Sequence, residues 1–292
     1  MPSKKRLMSP DSRSIPRPVK TSFVLIAFLL AAVLPASAQA PSDADLVEWA
    51  TGVGRMLHGY HAALDVAAAA IEERGGDRPA VYAGGPYDDG WAFSFGELEP
   101  DSTFVLQYGA IVSGSGQLTQ FDAFDFRRVA SAYHSLAALA LVSVQSDFDT
   151  LRQGEEFTAT DYRYAVLPFP EGQMTAFVSP AQTDPTATLF GNDVMYTVGQ
   201  SGPRILDRTR FHHRLVSVPL AVQVGDVAAL VVPDAPLPSP VDVLGVLERG
   251  SQIAVVAGRG VFVIQGDGTV GVVPEDDPFA QALRRGVARV RQ

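Results

Sequence analysis

Apolar residues recur every three or four positions after Ser42 and predict a long helix that ends before the pair Gly75-Gly76. Ser42 is a suitable N-cap, because its hydroxyl can accept a hydrogen bond from a free backbone N–H of the first turn. Three glycines inside this helix each cost about 1 kcal/mol relative to alanine, so they indicate close packing against another backbone. These glycines are Gly52, Gly54 and Gly59.

The apolar spacing then changes to a period of two, which is typical of antiparallel strands with one apolar face. An Asp88-Asp89-Gly90 turn precedes the first of these strands. The alternating positions are Trp91, Phe93 and Phe95, followed by Phe104, Leu106 and Tyr108. Around Phe126 the spacing returns to three and four, and it predicts a second helix through Val129 toward Val144.

The second half of the chain predicts hairpins followed by a small C-terminal module. The predicted segments are strands at 162–167, 174–178, 194–198 and 215–224, a strand beginning at 205, a helix near 241–247, strands at 253–256, 261–264 and 270–273, and a last helix. Acidic residues at 275–277 and arginines near the C-terminus match the dipole of that last helix.

A proline cluster between Pro233 and Pro240 is the best candidate for a domain boundary. We expect a main domain over 39–235 and a smaller module over 236–292, or one domain in which the prolines form a rigid loop. The expected fold class is α+β, with mostly antiparallel sheet and an N-terminal, a central and a C-terminal helix.

Residues 1–38 have the organisation of a secretory signal peptide. A basic segment precedes the apolar run 23–34, and Pro35-Ala36-Ser37-Ala38 supplies an A-x-A cleavage site. This run of 12 residues is shorter than the roughly 20 that span a bilayer. We therefore expect cleavage after Ala38, no stable membrane insertion afterwards, and a location in the bacterial periplasm or outside the cell.

The composition excludes several classes of chemistry. The chain has no cysteine, which removes thiol nucleophiles, disulfides and Cys-ligated zinc. Beyond residue 38 it has 17 arginines, 31 acidic residues and no lysine, for a net charge of −14. The acidic balance argues against binding nucleic acid through its phosphates, and the missing lysine removes P-loop and Schiff-base chemistry.

Two histidines and an aspartate lie on one side of the first predicted helix. His58, His61 and Asp65 are three and four residues apart, a geometry that can hold a divalent metal. The Glu of an H-E-x-x-H motif is missing, and a packed, hydrogen-bonded His61 is the commoner arrangement. His212 can complete such a site, whereas His213 would point to the opposite face of a strand. No other cofactor is expected.

The remaining polar and aromatic clusters have ordinary structural explanations. Acidic pairs occur at 88/89, 97/99, 147/149 and 276/277, and none has the spacing of an EF-hand. Glu97 and Glu99, on one face of a strand, are the pair that best suits acid–base chemistry. Gly114-Ser115-Gly116 lacks the G-x-S-x-G pattern of a nucleophile elbow. The aromatics Tyr82, Tyr87 and Trp91 would form a carbohydrate platform if exposed, but core packing is favoured.

Two stretches resemble segments of uncharacterised bacterial exported proteins. One is Leu189-Phe190-Gly191-Asn192-Asp193-Val194-Met195-Tyr196, leading through Gly202 to Arg210-Phe211-His212. The other is Leu237-Pro238-Ser239-Pro240-Val241-Asp242-Val243-Leu244, leading to the hairpin sequence 261–269. Proteins of that kind carry no assigned activity, so the resemblance implies export and folded modules.

Three functional hypotheses follow. The first is a non-catalytic cell-envelope protein that binds an envelope protein or a ligand through a face of its sheet. The second is a secreted hydrolase, with or without a catalytic metal ion, that uses His58, His61 and Asp65 or His212. The third is a subunit of an envelope assembly, which would show as a fixed oligomer.

Overall fold

The computed structural model describes residues 41–154, 160–168, 173–199, 204–219, 228–232 and 235–290. The predicted signal peptide, 1–38, and the predicted turn 170–172 lie outside these residues. The helices in the described ranges are α1 (Asp43–Glu72), α2 (Ala132–Gly154), α3 (Pro240–Arg249) and α4 (Pro278–Val290). Within those ranges, no helix combines the length and apolar character needed to cross a membrane.

The strands form separate sheets that are almost entirely antiparallel, and this confirms the expected α+β fold class. Their bounds are β1 Val81–Tyr87, β2 Gly90–Leu98, β3 Phe104–Val112, β4 Leu118–Val129, β5 Tyr162–Pro168, β6 Met174–Pro180, β7 Ala187–Phe190, β8 Val194–Val198, β9 Ile205–Arg210, β10 Val216–Pro219, β11 Ala228–Val232, β12 Ile253–Ala257, β13 Gly260–Ile264 and β14 Val270–Val273. The helices expected at the start, centre and end of the chain are α1, α2 and α4, with α3 as the short helix near 241–247.

The first sheet, of order β1-β2-β3-β4, lies between two helices. On one face, the ring of Tyr60 from α1 lies 5.2 Å from the ring of Phe93 on β2. On the other face, His134 from α2 contacts Ser94, the residue that follows Phe93. Because neighbouring residues of a strand point to opposite faces, α1 and α2 cover opposite faces of this sheet.

The second half of the chain contains a sheet of order β5-β6-β8-β9, the pair β7-β10 and a sheet of order β11-β12-β13-β14. Strand β11 pairs in parallel with β12, with Ala228 opposite Ile253. Strand β11 precedes the expected boundary at position 235 and β12 follows it, yet both belong to one sheet. In the chain, the proline cluster therefore falls between two strands of the same sheet. Part of the predicted strand 215–224 is observed as β10, and residues 220–227 lie outside the described ranges.

Helix α1 begins as the sequence predicts. The Ser42 hydroxyl accepts from the Asp45 backbone N–H, and the Asp45 carboxylate accepts from the Ser42 backbone, which together form a capping box. The predicted close packing is confirmed at Gly54. A Cβ there would lie 2.6 Å from Cβ of Val243 and 2.8 Å from the carbonyl oxygen of Pro240, both in α3. At Gly52 nothing lies within 4 Å, so that glycine has no such packing role.

The boundary between β4 and α2 differs from the sequence prediction. Phe126 and Val129, which the apolar spacing assigned to the second helix, belong to β4 instead. The backbone N–H of Ala130 donates to the carbonyl of Phe104 on β3, so the pairing of β4 with β3 extends to Ala130. Helix α2 begins after this residue, where the Ser131 hydroxyl accepts from the His134 N–H. The apolar residues at 126 and 129 imitate helical spacing because both are exposed on an edge strand, where alternation is not enforced by burial.

We predict opposite effects for two alanine substitutions in α1. Gly54→Ala should destabilise the protein by about 1–3 kcal/mol, because the added methyl group overlaps α3. The matched control Gly52→Ala should stabilise it by up to about 1 kcal/mol through helix propensity alone. Urea unfolding curves of the two variants measure the difference, and equal effects would contradict the proposed packing of α1 on α3.

Candidate functional site

A histidine lies between two carboxylates in the interior of the second half of the chain. The Nδ1 atom of His212 is 2.6 Å from Oδ1 of Asp193, and its Nε2 atom is 3.4 Å from Oδ1 of Asp242. Both aspartates are completely buried, and His212 is 7% exposed. This buried Asp–His–Asp cluster is the most unusual polar arrangement in the described residues, because buried charges are rare unless they are paired.

Local structure holds each member of the cluster in place. Asp193 follows Asn192, whose φ of +52° lies in the left-handed region and turns the chain into β8. The Arg210 guanidinium at the end of β9 donates to Oδ1 of Asn192 and to the backbone carbonyls of His212 and His213. The turn before β8 and the turn after β9 are therefore tied together by one arginine.

Asp242 belongs to the first turn of α3. Its Oδ2 atom accepts from the backbone N–H of Ser239 at 2.7 Å, and the Ser239 hydroxyl accepts from the backbone N–H of Asp242. This capping box uses one carboxylate oxygen of Asp242 and leaves the other facing His212. The negative charge also lies where the helix dipole favours an anion.

The electrostatics of the cluster favour a bound proton. Burial alone lowers the pKa of His212, but the carboxylates of Asp193 and Asp242 outweigh that effect and raise it well above its usual range. Burial also raises the pKa of Asp193, and the neighbouring His212 opposes that shift. The pKa values of His212 and Asp193 are thus both raised. The cluster therefore keeps its proton to higher pH than an isolated histidine would.

A protonated His212 between two carboxylates has little scope for chemistry. Both of its ring nitrogens carry hydrogen, so it has no lone pair to accept a proton or bind a metal ion. Its side chain is also almost inaccessible to a substrate. The geometry therefore favours a structural cation that joins β8, β9 and α3 over the catalytic or metal-binding role considered for His212 from the sequence.

The helix residues proposed as metal ligands have other partners. The Asp65 carboxylate accepts from the guanidinium of Arg163 on β5, at 2.8 and 2.9 Å to its two oxygens. His61 is buried, with Nδ1 3.5 Å from Oε1 of Glu248 on α3, and Arg163 also reaches that Glu248 oxygen at 3.4 Å. Burial lowers the pKa of His61, although Glu248 opposes that effect. These side chains form an ionic network that links α1, β5 and α3.

His58 is half-buried and is not part of that network in the described structure. The described ranges contain no group of three or more His, Asp or Glu side chains placed to hold a metal ion. Binding a metal through His61 and Asp65 would require the Arg163 and Glu248 contacts to be replaced. The contacts of His61 and Asp65 therefore favour structural roles over the metal site considered from the sequence, and metal binding is tested below.

A serine–histidine pair on the first sheet had no signal in the sequence. The Ser94 Oγ atom lies 2.8 Å from Nδ1 of His134, and burial lowers the pKa of that histidine. A neutral histidine bonded to a serine is the minimum arrangement for nucleophilic catalysis. Ser94 is only 5% exposed, however, and no carboxylate in the described residues pairs with His134. We interpret the contact as structural, because the His134 ring provides a hydrogen-bond partner for the buried Ser94 hydroxyl.

The other sequence candidates take structural positions. Asp88, at φ +48°, and Asp89 form the turn between β1 and β2. Glu97 accepts a hydrogen bond from Gln107, Glu99 pairs with Arg127, and Asp147 pairs with Arg208. Tyr82 is buried and Trp91 packs against the core, so only Tyr87 of the three aromatics is exposed. These three do not form an exposed platform.

The sequence reasoning missed Asp193 and Asp242 as partners of His212. In the sequence, Asp242 belongs to a predicted helix start, and both aspartates belong to the stretches that carry the resemblance. The two stretches that carry that resemblance nevertheless supply all three members of the cluster, together with Arg210 and Asn192. The signal available in the sequence was the position of Asp193 directly before the apolar strand β8. A carboxylate buried there needs a buried partner.

No family model, curated protein or solved structure matches the chain, so the function is inferred from the residues themselves.

We predict that His212→Gln lowers the free energy of unfolding by about 3 kcal/mol at pH 6, because two buried carboxylates lose the cation between them. The matched control is His213→Gln, which changes the exposed neighbouring histidine and should alter stability by less than about 0.5 kcal/mol. Denaturant unfolding at fixed pH measures both values. A His212→Gln variant as stable as the control would disprove the structural role of the cluster.

The raised pKa of His212 also predicts a pH dependence. Below the usual histidine pKa of about 6.5, both folded and unfolded states hold the proton, and the full stabilisation is present. Above it, only the folded state holds the proton, so stability falls as pH rises toward the folded-state pKa. The wild-type thermal midpoint should therefore fall more steeply between pH 6.5 and 9 than that of His212→Gln. Parallel profiles would contradict this expectation.

The structure predicts no stabilisation by divalent metal at α1. After EDTA treatment, adding zinc, calcium or manganese should leave the thermal midpoint unchanged, because Arg163 and Glu248 already engage Asp65 and His61. A ligand at 100 times its dissociation constant would add roughly 2.7 kcal/mol and raise the midpoint by several degrees. A rise with zinc that disappears in His61→Ala would restore the metal site.

Proposed function

We propose that the protein is an exported, non-catalytic binding protein of the bacterial cell envelope. Export is supported by the basic segment, the apolar run and the A-x-A sequence within residues 1–38. The resemblance of the two stretches around His212 and Asp242 to exported proteins is consistent with that location. A non-catalytic role is supported by the buried histidines, because His212 and His61 face charged partners inside the fold.

The observation that carries the binding proposal is the exposed apolar pair Phe126 and Val129 on β4, at one edge of the first sheet. Phe126 on β4 is 70% exposed, the highest value among the large apolar side chains of the described residues. Val129, on the same strand, is 49% exposed. Exposed aromatic side chains beside arginines are the composition that protein-binding surfaces favour.

The alternative is a secreted hydrolase. The histidines first considered for it, His58, His61 and His212, lie in arrangements that suit structural roles better. The Ser94–His134 contact is the specific observation that keeps this alternative open, since a neutral histidine can remove a proton from a serine hydroxyl. Catalysis there would need an opening to solvent, because Ser94 is nearly buried.

The catalytic alternative has a direct test. We predict that the purified exported protein does not hydrolyse ester, peptide or glycan substrates faster than its Ser94→Ala and His134→Ala variants. Comparing variants separates real turnover from a contaminating enzyme. A rate that one of these substitutions, or His212→Gln, abolishes without unfolding the protein would overturn the non-catalytic proposal.

Export also has a direct test. Expression of the full chain in a bacterium should yield a soluble periplasmic or secreted form whose intact mass corresponds to a start at Gln39. Replacing Ala36 and Ala38 by Arg should prevent cleavage, since the processing site requires small residues. A protein that stays uncleaved in the cytoplasm would contradict the proposed location.

A further inference from the structure

Among the described strands, β4 is an edge strand of the first sheet. It pairs with β3 on one side, and no described strand pairs with its other side. Such an edge carries backbone N–H and C=O groups that can pair with a further strand. The register passes from Tyr108 opposite Ala123 to Leu106 opposite Arg128, so residues 124–127 of β4 face a single residue of β3. These four residues are the part of β4 least engaged by its own sheet.

The side chains of this segment alternate in a pattern that complements itself. Phe126 lies between an acidic residue, Asp125, and a basic one, Arg127. Asp125 is exposed and has no ion-pair partner among the described residues. Arg127 pairs with Glu99 on the surface, and Arg128 lies 4.6 Å from the ring centroid of Phe124. Exposed pairs of this kind are weak and can be shared with a partner chain.

We propose that β4 binds β4 of a second copy of this chain, in an antiparallel pairing centred on Phe126. This inference rests on the proposed binding function and names its partner. In that register Phe126 faces Phe126 of the partner copy, and Asp125 faces Arg127 of the partner copy twice, because the interface is two-fold symmetric. Phe124 faces Arg128 of the partner copy, which repeats the cation–π contact seen within one chain.

The charge pattern favours this occupant over a chain of unrelated sequence. Cross-strand pairs of opposite charge and of aromatic rings are the pairs that stabilise antiparallel strands. Sliding both strands by one residue, so that Asp125 becomes central, would replace the two Asp125–Arg127 pairs by two Asp122–Arg128 pairs and add a like-charge contact of Asp125 with itself, a contact that the pairing centred on Phe126 avoids. Parallel pairing in register would place every charge opposite a like charge. The segment therefore specifies both the antiparallel direction and the centre of the pairing.

Sedimentation velocity of the purified exported protein, over a range of concentrations, tests the inference through a charge exchange. Asp125→Arg alone and Arg127→Asp alone should each weaken the dimer at least about tenfold, because each places like charges opposite one another twice. The double variant Asp125→Arg/Arg127→Asp should restore the dissociation constant to within about threefold of the wild type, since opposite charges face each other again.

Matched controls separate the interface from general effects. Phe126→Ser should abolish the dimer, whereas Val272→Ser, at a residue 68% exposed on β14 of another sheet, should leave it unchanged. Unchanged thermal midpoints would show that the variants remain folded. Either a protein that is monomeric at every concentration, or a dimer that persists in Phe126→Ser or is not restored by the charge exchange, overturns the inference. A monomer would still leave binding to a different partner possible, whereas turnover in the hydrolysis assay would count against the proposed function instead.

Discussion

The buried ionic interaction between His212 and its two aspartates is the contact on which the second half of the structure depends. Asp242 caps α3 with one carboxylate oxygen and faces His212 with the other, so the start of the helix and the turn after β9 are placed by one side chain. Asp193 binds the same imidazole from the turn before β8. Three segments that are distant in sequence thus meet at one imidazole ring. Removing the cation would leave two buried carboxylates unpaired, which makes the arrangement costly to disturb.

Helix α3, positioned by this cluster, packs against elements in both halves of the chain. Its first turn lies directly against Gly54 of α1, and Gly245 in its centre lies against the Phe190 ring of β7. The Arg163 network adds a second link, since Glu248 near the end of α3 faces both Arg163 on β5 and His61 on α1. The glycines allow α3 to pack closely against α1 and β7, and the ion pairs of Glu248 fix its orientation. In a chain without cysteine, such buried ionic contacts take the place of disulfides as connections between remote segments.

The fold was largely predictable where burial enforces a periodic pattern, and less so elsewhere. The capping box of α1, the aromatic alternation of β2 and the strand Val270–Val273 all followed from spacing and turn residues. The end of β4 did not, because Phe126 is exposed and its position satisfies either period. The partners of His212 were not predictable from spacing, since 19 and 30 residues separate it from Asp193 and Asp242. Such contacts arise from tertiary packing, which a local pattern does not record.

The distribution of charge between interior and surface also bears on the proposed binding role. Association loses less free energy when the binding surface is already ordered. Residues 124–127 have no paired partner on β3, but β4 pairs with β3 at both ends of this segment, at Ala123 and at Arg128, and the Ala130 N–H donates to the Phe104 carbonyl, so the segment is anchored at both ends. Its charges lie in solvent, where the proposed pairing with a partner would cost little stability. The buried charges around His212 cannot select a partner, because no other molecule reaches them. In the proposed binding role, stability and recognition would therefore depend on separate sets of ionic groups.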